Sequence, residues 1–183
     1  MINRINPRQF IAAHFKTFYN YRSGAASKGE VWSQFVLAGI AAFIHVRWFK
    51  IDDSAIGVVV SAASIVAGLI LNLMVLIYTL LTTKLNSYNA EILRATDQEA
   101  VQATTSNLSG FRKLCEETLA NAAFCVFTCV ILVISAIMIL TDVAVIKIAG
   151  QFFTVFSGVI LIITLLIVLK RCYALIDYSI GEQ

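Results

Sequence analysis

The chain has a single proline, nine glycines and, over long stretches, no charge at all. So little proline and glycine excludes a disordered or loop-rich chain and leaves helix as the dominant structure. Charged residues make up only 14% of the 183 positions, while 59% are hydrophobic and the mean hydropathy is +0.82. That leaves too little polar surface to cover a water-soluble domain. The four cysteines (Cys115, Cys125, Cys129, Cys172) contain no CxxC pair, so neither a disulfide framework nor a metal site is implied. There are two histidines, His14 and His45, and no glycine-rich phosphate loop. No catalytic constellation can be assembled from these residues, and the sequence reads as a non-enzyme with no cofactor. A net charge of +3 is too small to argue for nucleic acid by itself.

What is present is apolar sequence in blocks. Residues 54–83, 118–141 and 148–169 contain no Asp, Glu, Lys, Arg or His, and each is long enough to cross about 30 Å of hydrocarbon as a helix. Residues 31–49 form a further block with an apolar middle, flanked by Trp32 and Trp48. Sixteen residues of helix separate those indoles by about 24 Å, near the spacing of the two interfacial belts. The expected fold is an all-α polytopic membrane protein with four transmembrane helices, at 31–49, 54–83, 118–146 and 148–170. A long helical hairpin, 84–117, stands between spans two and three. Eleven basic residues fall on the side of the termini and hairpin, against Arg47, Lys50 and Lys147 on the other. The positive-inside rule therefore puts both termini and the hairpin in the cytoplasm. No apolar signal-peptide core precedes residue 31, so the N-terminus reads as uncleaved.

Asn6-Pro7 reads as a helix start and Gly24 as a stop, which predicts a helix over residues 7–22 within a cytoplasmic segment 1–30. Ile11, Phe15 and Phe18 share one face, with Arg8, Lys16 and Arg22 alongside. This pattern fits an interfacial helix on an anionic leaflet, and it fits equally a helix docked on the protein's own bundle. In the middle segment Leu85, Tyr88, Ile92 and Ala95 continue a helical face out of span two. Residues 106–110 (Ser-Asn-Leu-Ser-Gly) are the expected turn, so the first arm runs to about Thr105, and 171–183 is a cytoplasmic tail. Thirty uncharged residues from 54 to 83 make about 45 Å of helix, more than tilt alone accommodates. Shielding by other helices is implied, which favours a homo-oligomer.

Polar residues run in stripes along the spans. Gly57, Ser61, Ser64, Gly68, Asn72 and Thr79 share one face of span two. Asn121, Thr128, Ser135 and Asp142 recur at intervals of seven in span three, with Cys125 in the same stripe, and Gln151, Thr154, Ser157 and Gly158 form a shorter version in span four. Small and hydroxylated residues let helices approach closely, so helix packing explains the stripes; a wet pore explains them too. As pore-lining candidates we take Ser61, Ser64, Asn72 and Thr79, with Asn121, Thr128, Ser135 and Asp142. No carboxylate lies in the interior of a span, Asp142 falling at the outer end of span three, and neither an internal repeat nor a broken helix is evident. Both absences weigh against an ion-coupled transporter. On the cytoplasmic side Arg94, Arg112 and Lys113 supply charge for an anionic ligand, with Tyr88 available to stack on a base.

The basic amphipathic lead-in, the two-span hairpin and the long helix that emerges from it resemble small bacterial membrane effectors of anti-phage systems, namely SLATT-like effectors and the channel effector of the Hailong system. The resemblance is architectural, covers about residues 8–145 and rests on no diagnostic motif. It implies a pore-forming effector of the bacterial inner membrane, in contact with lipid. It further implies control by a nucleotide or oligonucleotide and association with a nucleotidyltransferase. Spans three and four depart from a plain two-span effector and leave open whether span two or span three lines the opening. The sequence therefore predicts a homo-oligomeric gated ion channel. The alternative is a non-conducting scaffold whose hairpin docks a soluble partner.

Overall fold

A computed structural model describes residues 7–17, 28–49, 51–94 and 98–180. The described residues form five helices: α1 (Pro7–Lys16), α2 (Lys28–Trp48), α3 (Asp53–Arg94), α4 (Gln98–Ile139) and α5 (Ala144–Ile180). Three stretches are long and apolar enough to cross a membrane: Ser54–Ala90, Thr105–Ile139 and Ala144–Asp177. By that measure the chain is a membrane protein. The expected first span falls on α2, which carries His45 and Arg47 in its last turn and is not one of these three.

The helix ends follow from local chemistry. Asp52 caps α3, its Oδ1 accepting the Ala55 amide at 2.9 Å and its Oδ2 accepting the Ser54 hydroxyl at 3.1 Å. At the end of α4 the Thr141 hydroxyl donates to the Met138 carbonyl at 2.8 Å, and the Leu140 amide to Ile137 at 3.0 Å. These bonds satisfy carbonyls that have no partner further along the helix, so α4 stops at Ile139 and not in the mid-140s. The fifth helix correspondingly begins at Ala144, four residues before the expected start, and continues through most of the expected tail to Ile180. The expected turn at 106–110 is also corrected: these residues are helical within α4. Thr105 and Ser109 bond back to the carbonyls of Val101 and Ser106, both at 2.7 Å. The polar run thus satisfies itself inside the helix, and the next residue, Phe111, is fully buried. The third helix ends at Arg94 and the fourth begins at Gln98, so the first arm of the middle segment is shorter than expected. The first helix ends at Lys16, and residues 18–22 of its expected extent lie outside the described residues.

The fourth helix is the hub. It packs against α3 on one side and α5 on the other; α2 lies on α5, and α1 lies on α4. One set of buried positions on α4, Phe111, Cys115, Thr118, Ala122, Cys125, Cys129, Leu132, Ala136 and Ile139, alternates in steps of four and three. That is the seam of left-handed helix pairing. It is met on α3 by Ile56, Ala63, Ile70 and Ile77, spaced by seven. The main core joins Ala63 and Ile70 to Ala122, Cys125, Cys129 and Leu132, and then to Leu161 and Val168 of α5. Gly150 marks a close approach of α4 and α5: a Cβ there would lie 2.9 Å from the Ser135 carbonyl oxygen and 3.0 Å from the Ile139 nitrogen.

Candidate functional site

The two polar stripes of the expected pore have opposite placements. On α3, Gly57, Ser61, Ser64, Gly68, Asn72 and Thr79 are all exposed. They centre roughly 150° round the helix from the buried seam, at about 100° per residue. Ser64 donates to the Val60 carbonyl at 2.8 Å and Thr79 to the Val75 carbonyl at 2.9 Å, so these hydroxyls are satisfied by their own helix. The Asn72 amide has no partner among the described residues. Only 11% of the apolar window of α3 is buried within the chain, against 50% for α4. The third helix therefore presents most of its circumference, polar stripe included, outward.

On α4 the stripe turns inward. Asn121, Thr128 and Ser135 are buried, while Asp142 is exposed in the turn after the helix. Thr128 donates to the Phe124 carbonyl at 2.9 Å and Ser135 to the Leu132 carbonyl at 2.9 Å. Across the interface the Thr154 hydroxyl donates to Ser135 Oγ at 3.2 Å, and Ser157 bonds within its own helix. Ser135 and Thr154 thus meet in a packed α4–α5 contact, and Asn121 and Thr128 are buried elsewhere along α4. They are not gathered with the α3 stripe, which lies on the far side of the seam.

The candidate ligand residues are likewise dispersed. Tyr88 is buried on α3, 7% exposed. The register that puts Ile77 with Phe111 and Cys115 sets Tyr88 roughly 16 Å further along α3. Arg112 is exposed and pairs with Glu116 one turn on, at 2.8 Å. Lys113 is exposed beside it. Arg94 ends α3, and its side chain is not among those described. Among the described residues no three His, Cys, Asp or Glu side chains come together as a metal site.

A polar cluster that the sequence did not single out joins α1, α4 and α5. His14, on α1, is 1% exposed. Its ring stacks on Phe124 at a centroid distance of 3.9 Å and an interplanar angle of 6°. With the Asn121 amide oxygen turned to it, His14 Nδ1 donates to Oδ1 at 2.6 Å. The Thr17 hydroxyl lies 3.2 Å from the same oxygen and 2.7 Å from the His14 carbonyl. Arg171 of α5 donates from Nη2 to the Thr17 carbonyl at 3.1 Å and from Nη1 to Glu117 of α4. Burial pushes the His14 imidazole down from 6.5 to about 4; the Asn121 bond opposes that shift and the Arg171 charge adds to it. Asn121 Nδ2 is buried with no hydrogen-bond partner. The signal for this cluster in the sequence was slight: a histidine on the apolar face of a short basic helix, and an asparagine on a transmembrane stripe.

Comparison with known proteins finds no matching family, no matching curated protein and no matching solved structure.

Proposed function

We propose that this chain is the subunit of a homo-oligomeric, gated ion channel or pore, with copies meeting through the outward face of α3. The observation that carries the reading is the exposed stripe around Asn72. Serine and threonine in lipid can bond back to their own helix, as Ser64 and Thr79 do. The oxygen of an asparagine amide finds no free donor in its own helix, and a polar group left so in hydrocarbon costs several kcal/mol (roughly 2–7). A second copy of α3, or water between copies, removes that cost. Among the described residues the buried hydroxyls of α4 are already bonded, Thr128 to its own helix and Ser135 to Thr154 of α5.

In this reading α2 is the fourth span, and both termini and the ends of α3 and α4 face the cytoplasm of a bacterial cell, as the distribution of basic residues indicates. A role as an anti-phage effector under nucleotide or oligonucleotide control rests on the architectural likeness alone. A non-conducting scaffold is favoured by a different observation, Leu93, which is 87% exposed near the end of α3 and offers an apolar contact to a soluble partner.

The test is ion flux from liposomes holding the purified protein, comparing the native chain with Asn72→Leu and adding nucleotides and oligonucleotides in turn. Flux that Asn72→Leu alters supports a channel with α3 at its wall. Inserted, oligomeric protein that conducts under no condition supports the scaffold.

A further inference from the structure

The helix α1 has ten residues, fewer than an isolated helix needs to be stable in water. Its order therefore depends on what it touches, and it touches three helices. His14 bonds and stacks on α4 through Asn121 and Phe124. Its last turn meets α5, where the Arg171 guanidinium binds the Thr17 carbonyl, placing a cation at the negative end of the helix. Phe15 packs beside Phe35 of α2 at 5.9 Å and Phe124 at 6.0 Å. The Arg171 side chain that holds α1 also holds Glu117 of α4, with both groups less than one-fifth exposed. Removing α1 thus strips hydrogen bonds from Asn121 and Arg171 together, at the level where an ion pair ties α4 to α5. Asn121 is followed directly by Ala122, which packs in the core with Ala63 and Ile70 of α3. A shift of α4 at this level reaches α3 through direct contact.

We propose that α1 is an autoinhibitory clasp. Docked, it fixes α4 against α5 and, through the α4 seam, holds α3 in its resting arrangement toward other copies; released, it lets α4 and α3 move together. The clasp rests on the oligomer reading above, and its test separates the two.

Three measurements on the full-length protein in lipid decide it. A spin label at Ala12→Cys, an exposed position on α1, reports docking by its mobility. Disulfide formation between copies at Ser64→Cys reports the arrangement of α3, with Cys172 changed to Ser because it is the one cysteine not fully buried. Ion flux reports opening. His14→Ala removes both ring and bond, and His14→Phe keeps the ring stack on Phe124 but removes the bond, which guards against simple misfolding.

The expected result is a mobile fraction at Ala12→Cys that rises up to about tenfold in His14→Phe, the factor a hydrogen bond contributes, and further in His14→Ala, which loses the ring stack as well. A changed rate of Ser64→Cys cross-linking and raised flux should follow in the same order. Unchanged mobility in His14→Ala overturns the clasp, as does raised mobility with cross-linking unaltered. Altered cross-linking with no flux in any variant supports the clasp and sinks the channel reading alone.

Discussion

Docking of α1 is expected to weaken in acid, and the size of the effect follows from His14. Docked, the imidazole titrates at about 4; released into water it returns to 6.5. Above pH 6.5 it is neutral in both states and docking is at full strength. Below that the released state binds a proton that the docked state refuses, so docking weakens by about 1.4 kcal/mol per pH unit until pH 4. The full loss is about 3 kcal/mol, and at pH 5 the released-to-docked ratio should stand about 30-fold above its value at pH 7.5. Among the described residues the charge acting on His14 is Arg171 of α5, which is itself paired with Glu117 of α4. The described charged side chains of α2, His45 and Arg47, stand at its other end. Spin-label mobility at Ala12→Cys, followed from pH 7.5 to pH 4.5, measures the ratio directly. His14→Phe serves as the control, since it keeps the ring but cannot titrate. A line shape that does not change over this range, or one that changes identically in His14→Phe, would refute the assignment of the effect to His14.

Gly150→Ala should destabilise the chain by about 1–3 kcal/mol, because the added methyl meets the backbone of Ser135 and Ile139; thermal unfolding in detergent or lipid measures it. Gly68→Leu should leave subunit stability within about 0.5 kcal/mol, since nothing lies within 4 Å of a Cβ there. It should nevertheless suppress cross-linking between copies at Ser64→Cys, and unaltered cross-linking would exclude the α3 face as the contact. Glu117→Gln should weaken the hold on Arg171 and cost about 1–3 kcal/mol, given how little of either group is exposed; loss of α1 docking by the spin-label assay checks it. Cys115, Cys125 and Cys129 are buried, so maleimide should label them only after unfolding, whereas Cys172 should react earlier.

The helices were legible because their signal is local: uncharged runs of twenty or more residues in a chain with one proline leave little else for 54–83 or 148–169 to form. The direction of each polar stripe was not. In water, apolar residues mark the inside of a helix, but in lipid an apolar face is equally at home outward, so Ser64 and Ser135 look alike in sequence although one is exposed and the other buried. What separates them is a second pattern, the alternation of four and three through Phe111, Cys115, Thr118 and Ala122, which identifies α4 as the helix with neighbours on several sides. The expected turn at 106–110 failed because serine, asparagine and glycine signal loops on average, whereas here the hydroxyls bond back into the helix. The fate of α1, lying on lipid or on protein, depended on a bond between residues 107 positions apart. Nothing in the local pattern of the helix could reveal that partner.

The packing order has a consequence for how the protein is made. The second helix leans on α5, which is synthesised well after it: Ala38 shares its cluster with Ile160, more than a hundred residues later. At about 5–20 residues per second, α2 waits roughly 6–25 s before its docking surface exists. The third helix waits a shorter time, for α4. During that interval both emerge from the ribosome as single helices, and the outward stripe of α3 is open to neighbouring nascent chains before its own subunit has closed. If copies pair through this face as proposed, their assembly can begin on the translating polysome, ahead of the step that brings α2 home.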